Sequence, residues 1–457
     1  MEGKRVAIIG LDCWDPVLVE KWRDDLPHIK SLQENGVYGK LRSTDPPITI
    51  PAWSSMMSGK SPGTLGFYGF RNRSDYSYDK LSFATSHMVR EKRLWDILSD
   101  AGKKVIILGV PQTYPPKAVN GILVGDFLAP DTKSDYTYPK ALKEEIERVV
   151  GDYMLDVDDF RTENKERLLR DIYRMTKQHF DLARHFVTTR EWDFFMMVDM
   201  GPDRIHHGFW KFFDPAHPKY VAGNPLETSI RDYYTFVDGE VGKLIEVLPA
   251  DCAVIVVSDH GAQPMIGGVA INEWLIEKGY LTLLSRPETP TKIGSVKIDW
   301  QNTRAWGEGG YYSRLFFNVK GREPEGTIDP ADYEAFRDRM IEEITAMTDE
   351  RGAIIGNVCL RPEDLYREAR GIPPDLFIYF GNLAWRSVGT VGLGSYITYE
   401  NDTGPDDANH SFFGYVSVTG TRKNGVREGL SIFDVAPTVL TIMGMPTFKD
   451  MEGKIIE

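Results

Sequence analysis

Short apolar runs punctuate the chain, each ending at glycine or a polar residue and followed by text of helical periodicity. The runs 5–10, 104–108, 193–198 and 253–258 show no polar alternation, which is the pattern of strands buried on both faces. Residues 51–57, 139–150, 165–186 and 228–248 repeat apolar positions at three- and four-residue spacing and predict helices. Strands alternating with helices predict βαβ units, hence an α/β fold with a doubly wound, mostly parallel sheet and helices on both faces. In such sheets ligands gather beyond the carboxyl ends of the strands.

The rhythm breaks between 283 and 370. Proline and glycine rise there, 304–306 and 311–318 read as aromatic strands, and 330–348 is one amphipathic segment. Core-like text resumes at 374–380 and closes with an apolar helix over 430–443, near Gly444. The expected organisation is one core built from 1–282 and 371–457, with 283–370 inserted as a cap or subdomain.

Composition narrows the function. The 457 residues carry 54 Lys+Arg against 67 Asp+Glu, a net charge of −13, and are 42% hydrophobic, as in ordinary globular proteins. An acidic chain repels polyanions, so coating of nucleic acid is not expected, and a phosphate-bearing substrate needs a local positive site such as a metal cluster. Cys13, Cys252 and Cys359 lie far apart without a CxxC pair, which argues against a disulfide scaffold or a thiolate zinc site and for a reducing compartment. The apolar run 6–9 is too short for a signal segment, and no later run is long enough for a membrane span, so a cytoplasmic location is expected. Sequons at Asn72, Asn401 and Asn409 are of the kind that arise by chance.

Two phosphate-site look-alikes fail on context. Gly59-Lys60-Ser61 resembles the end of a P-loop, but Ser54 stands where the first glycine belongs and a helix precedes it. Gly59 to Gly63 also spells G-x-S-x-G, yet a nucleophile elbow needs a strand before and a helix after.

The stronger signal is a set of Asp and His residues at strand tips and helix starts. Asp12 follows the first strand; a turn-forming role would explain it equally. Asp259 and His260 follow the strand 253–258 and precede Gly261, so carboxylate and imidazole can leave one strand end toward one metal. Asp203 and His207, four apart behind Pro202, share a helical face. His206 competes with His207 but points differently, and Asp199 suits a supporting or capping role. His410 stands in a loop beside Asp406 and Asp407. Thr49 lies just ahead of a helix whose first turn holds Pro51, where amide N–H groups suit an anion; its bland role would be a helix cap.

Taken in order, Asp12, Thr49-Ile50-Pro51-Ala52-Trp53, Ser58-Gly59-Lys60-Ser61-Pro62-Gly63, Asp203-Arg204-Ile205-His206-His207, Ser258-Asp259-His260-Gly261 and Asn409-His410 resemble the motifs of the alkaline phosphatase superfamily. The likeness is strongest to its type I phosphodiesterase/nucleotide pyrophosphatase branch, and 432–444 resembles that branch as well. The resemblance implies two divalent metal ions, zinc or alternatively manganese. One would be held by Asp12, Thr49, Asp259 and His260, the other by Asp203, His207 and His410. It further implies a dinuclear phosphoric ester hydrolase in which Thr49 is the nucleophile and a phospho-threonine forms and is hydrolysed.

The chain departs from the family pattern in places. Leu65-Gly66 stands where His-Gly is usual, and His206 replaces the glycine usual before the helical histidine. Asn72 is the candidate for binding the phosphate oxygen, with Arg71 and Arg73 flanking it. Nucleotides or other small diesters are the expected substrates. A mutase or phosphotransferase of the phosphoglycerate mutase type, or a phosphomonoesterase, is the alternative; those mutases typically use Ser, so Thr49 favours hydrolysis. Trp306, Tyr311 and Tyr312 could stack on a base, though packing explains them better.

Overall fold

Five short apolar strands form the centre of a ten-stranded sheet in the computed structural model, which describes residues 3–421 and 423–457. They are β1 (Val6–Leu11), β2 (Val105–Leu108), β3 (Gly121–Val124), β4 (Phe194–Asp199) and β5 (Ala253–Val257). All five run parallel, in the spatial order β5-β1-β4-β2-β3. β6 (Phe413–Thr419) pairs antiparallel with β5, and Gly36–Arg42 pairs antiparallel with β6. Every residue of β1, β2, β4 and β5 is buried, which is why their text lacks alternation.

Helices cover both faces. α1 (Thr49–Ser58) packs with α5 (Val435–Ile442), while α2 (Lys165–Thr189), α3 (Gly201–Phe213) and α4 (Ser229–Ile245) pack with one another. Ile48, not Thr49, is the N-cap of α1, and no side chain caps that end. Thr49 is therefore the first helical residue, and its hydroxyl is not spent on capping. Gly59 stops α1 at φ 68, a left-handed conformation glycine adopts without strain, and Lys60 pairs with Glu91 and Asp450. That end of the helix binds the protein itself.

The helix expected over 430–443 is shorter than its apolar text. Residues Leu430–Ser431 pair beside Gly36–Arg42, and Ile432–Asp434 form a 3-10 turn. Asp434 accepts the Ser431 N–H at 2.8 Å, and this capping restarts the chain as α5.

Strands Ala305–Glu308 and Ser313–Phe317 pair antiparallel and join Leu376–Tyr379 and Val358–Leu360 in a second sheet. Tyr333–Thr345 packs on it around a separate core that includes Leu315, Phe336, Met340 and Ile378. This sheet takes strands from both sides of residue 370.

Candidate active site

Sheet order brings the chemistry together. β5, β1 and β4 are neighbours, with Gly10 level with Val257 and Leu11 level with Asp199, so their carboxyl ends lie side by side at roughly 4.8 Å intervals. Asp12 leaves the tip of β1, and Asp259 and His260 leave the tip of β5. α3 starts just past β4 and raises Asp203 and His207 on one face. His410 arrives on Ala408–Ser411, which pairs antiparallel with Gly261–Pro264 and sets His410 opposite Ala262.

The side chains meet within a few ångströms. His260 Nε2 is 3.1 Å from Asp259 Oδ2 and 3.7 Å from Asp12 Oδ1. Asp203 Oδ1 is 3.2 Å from His207 Nε2 and 3.6 Å from His410 Nε2. Thr49 Oγ1 lies 3.5 Å from His260 Nε2, and the rings of His260 and His410 stack 3.7 Å apart. Ligand atoms of Asp12, Asp259 and His260 lie within 4.8 Å of one another, as do those of Asp203, His260 and His410.

Apart from the one between Thr49 and His260, these contacts are not hydrogen bonds. Asp12 Oδ1, Asp259 Oδ2, Asp203 Oδ1, His207 Nε2 and His410 Nε2 are buried, face one another and lack any hydrogen-bond partner. Burial, and then repulsion from Asp203, pushes the Asp12 carboxyl well up; burial and then Asp12 do the same to Asp259. Asp203 is also pushed up by burial, but His207, His410 and Arg204 outweigh this and hold it well below the usual range. Burial keeps His260 and His410 neutral, whereas at His207 burial is outweighed by Asp406, Tyr311 and Asp203, which push the imidazole up. Crowded carboxylates and neutral imidazoles with free lone pairs are an environment that cations complete.

The outer atoms are anchored. Asp406 Oδ1 accepts the His207 Nδ1 proton at 2.7 Å, and Arg161 (2.9 Å) and Arg386 (3.3 Å) hold its other oxygen. His410 Nδ1 donates to Pro47 O at 2.8 Å, and His260 Nδ1 is 3.2 Å from Gly261 O. Each imidazole thus turns Nε2 inward, as metal-ligating histidines do. Trp53 Nε1 donates to Asp12 Oδ2 at 2.7 Å. Gly10 makes that possible, because a Cβ there would sit 2.7 Å from the Trp53 ring.

His206 lies outside the cluster. Its Nε2 contacts Tyr234 Oη at 3.0 Å and its Nδ1 is 3.5 Å from Cys13 Sγ; burial holds its pKa down at about 3. Asp199 is not a ligand either. It accepts from Thr176 at 2.9 Å and faces His179 Nδ1 at 2.9 Å, while its backbone oxygen accepts the Asp12 N–H at 3.0 Å.

A cleft of about 460 Å³ opens over the cluster, with Thr49, Asp203 and His410 in its wall. Asn72 does not line the cleft: its Oδ1 accepts the Tyr68 N–H at 2.7 Å and its Nδ2 donates to Gly69 O at 2.9 Å, so its amide holds its own hairpin. Arg73 turns away to Glu323. Arg71 is the member of that trio in the cleft; it is exposed and, among the described residues, forms no ion pair. Arg161, Arg204, Arg314 and Arg386 also line it, a local positive wall in an acidic protein.

Residues 6–406 match the family Type I phosphodiesterase / nucleotide pyrophosphatase. The chain belongs to that family. Type I phosphodiesterases and nucleotide pyrophosphatases are metal-dependent phosphoryl hydrolases, in keeping with the buried Asp/His cluster seen here. Human ectonucleotide pyrophosphatase/phosphodiesterase 5 shares the fold with a TM-score of 0.58 at 12% identity, over 99% of this chain and 97% of that one. Phosphonoacetate hydrolase from Sinorhizobium meliloti 1021, solved with phosphonoformate, gives 0.63 at 13% identity, over 97% and 96%. No curated protein matches the sequence. Among the described residues, no helix is long and apolar enough to cross a membrane.

Several residues of this phosphodiesterase-family site escape sequence reading. Trp306 and Tyr312 pack into the interior, but the Tyr311 ring lies 4.3 Å from His410 and 4.9 Å from His207 and covers both. Asp406 had a signal, two acids just ahead of His410. Tyr311 stood out only as an aromatic that could stack on a base, and Arg161 and Arg386 had no signal, since only the tertiary fold brings their segments to the cleft.

Proposed function

We propose that the chain hydrolyses phosphoric diesters or pyrophosphate-linked nucleotides at a pair of divalent ions, with Thr49 as nucleophile. The five buried, unpartnered ligand atoms that converge beside Thr49 carry this reading. Asp12, Thr49, Asp259 and His260 would hold one ion, and Asp203, His207 and His410 the other. Mixed carboxylate and imidazole donors suit zinc, and manganese next. Bound there, the ions supply charge stabilisation of the phosphoryl oxygens and a lowered pKa for the threonine hydroxyl.

The chain's own residues do the rest. Thr49 Oγ bonds to phosphorus while the bond to the departing alcohol or phosphate oxygen breaks, and the hydroxyl proton ends on that leaving group or in solvent. Water then attacks phosphorus, the Thr49 Oγ–P bond breaks, and a proton from water restores the hydroxyl. Arg71 draws the anion in, and Tyr311 shields the histidines from bulk water. We assign 283–370 to the roof that presents Tyr311. All three cysteines are free, which supports a reducing, cytoplasmic setting.

Chelation should abolish cleavage of a chromogenic phosphodiester, and zinc should restore it. In ¹⁸O-water one label should enter the phosphoryl group that passes through Thr49, and none the leaving group. Thr49→Ala should keep its metal yet give no trapped phospho-adduct. Turnover that survives complete metal removal sinks the reading, as does full activity in Thr49→Ala.

A further inference from the structure

Buried polar atoms without partners also gather at a second place. A cavity of about 280 Å³ lies behind His207, with Lys211, His217, Arg386, Asn401 and Asp407 in its wall. His217 Nε2, Arg386 Nε, Asn401 Nδ2 and Asp407 Oδ2 are buried and unpartnered. So is Lys165 Nζ, within electrostatic range of Asp407 and Lys211. His217, Arg386 and Asp407 are 4%, 5% and 3% exposed.

Most of these atoms are donors. His217 Nδ1 accepts the Lys219 N–H at 3.1 Å, so the neutral ring carries its proton on Nε2. Arg386 spends its terminal nitrogens on Asp406 at 3.3 Å and Thr403 at 3.1 Å, which leaves its Nε–H free. The acids nearby are mostly engaged. Lys211 Nζ lies 3.6 Å from Asp407 Oδ1 and 3.8 Å from Glu163, and Lys219 holds Glu400 at 3.0 Å. Asp407 Oδ2 is the one buried side-chain acceptor without a partner at the site among the described residues.

A ligand that completes this set accepts several hydrogen bonds, carries negative charge and donates one hydrogen bond to Asp407 Oδ2. Hydrogen phosphate does all three, with three bare oxygens and one P–OH. Sulfate has no proton to give, nor does the dianion of a phosphomonoester at pH 8. We propose that this cavity is a binding site for inorganic phosphate, separate from the Asp/His cluster. The two are divided by Arg386 and Asp406, and the Asp407 N–H donates to His207 O at 2.9 Å. The inference does not depend on the role assigned to Thr49.

The test is equilibrium dialysis of radiolabelled phosphate against the full-length, chelated protein at pH 8. Without cations the Asp/His cluster lacks the charge that would hold phosphate, and Arg71→Ala reports any phosphate bound in the cleft instead of the second cavity. The expected result is one equivalent bound, not displaced by excess sulfate or glycerol phosphate and unchanged in Arg71→Ala. Asn401→Ala and His217→Leu, each checked for an unaltered thermal midpoint, should bind at least tenfold more weakly. Asp407→Asn replaces the acceptor with an amide and should admit sulfate. The proposal is overturned if the wild type binds no phosphate, if sulfate displaces it, if Arg71→Ala abolishes binding, or if the folded Asn401→Ala variant binds unchanged.

Discussion

His207 donates its Nδ1 proton to Asp406 at 2.7 Å and so faces Nε2 toward Asp203, 3.2 Å away. Asp406 itself is pushed up by burial, but His207, Arg161 and Arg386 outweigh this and keep it ionised. A carboxylate behind a ligating imidazole sets both its orientation and its basicity. Asp406→Ala should weaken the ion proposed at Asp203, His207 and His410 by about 10–100-fold, with activity recovered in excess zinc. Metal content after dialysis, read beside rate against free zinc, checks this; two ions held as tightly as in the wild type would exclude it.

The crowding of Asp12 and Asp259 makes a prediction about stability. Burial raises both carboxyls, with repulsion from Asp203 added at Asp12 and from Asp12 added at Asp259, so ionising them costs the chelated protein stability. Chelated Asp259→Asn should therefore melt higher than chelated wild type. Metal should stabilise the wild type, by about 2.7 kcal/mol for an ion at a hundredfold its Kd, and the variant much less. Calorimetry with and without zinc decides; a variant less stable than wild type in chelator would contradict the electrostatic account.

Arg71 sits exposed in the cleft wall without an acidic partner among the described residues, its guanidinium 5.0 Å from the Phe83 ring. Such a charge steers an anion more than it stabilises a transition state. Arg71→Ala should raise KM for an anionic diester roughly tenfold, leave kcat nearly unchanged and flatten the salt dependence of kcat/KM. A fall confined to kcat would place Arg71 elsewhere in the reaction.

Asp126 supplies a pH dependence away from the cluster. Burial pushes its carboxyl up to about 7, against the pull of N–H groups of Leu128 (3.1 Å) and Thr113 (3.2 Å). The folded chain then binds this proton more tightly than the unfolded chain. Its stabilising contribution is complete below about pH 4 and is lost as pH rises through about 7, by up to roughly 4 kcal/mol. Asp126→Asn should flatten that decline. Urea unfolding of both proteins at pH 5 and pH 8 provides the comparison, and equal slopes would remove Asp126 as the source.

Local text announced much of the architecture. The buried runs at β1, β2, β4 and β5 and the long helix α2 could be read from it, because a strand covered on both faces must be apolar throughout. β3 was not read, since a four-residue strand in Gly121–Val124 has little periodicity to show. The apolar text of 430–443 reads as one helix, yet its first residues pair with Gly36–Arg42, a strand nearly 400 positions earlier in the chain.

The sequence alone determined which residues could do the chemistry: the carboxylates and imidazoles at strand tips, the four-residue step from Asp203 to His207, and a threonine at a helix start. Those are local properties, set by strand ends and helix pitch. Tertiary structure decided that β5, β1 and β4 stand side by side, that His207 rather than His206 faces Asp203, and that Arg71 rather than Asn72 reaches the cleft. Strand order and side-chain direction depend on contacts between segments hundreds of residues apart, and local periodicity carries no record of which distant partner a surface will meet.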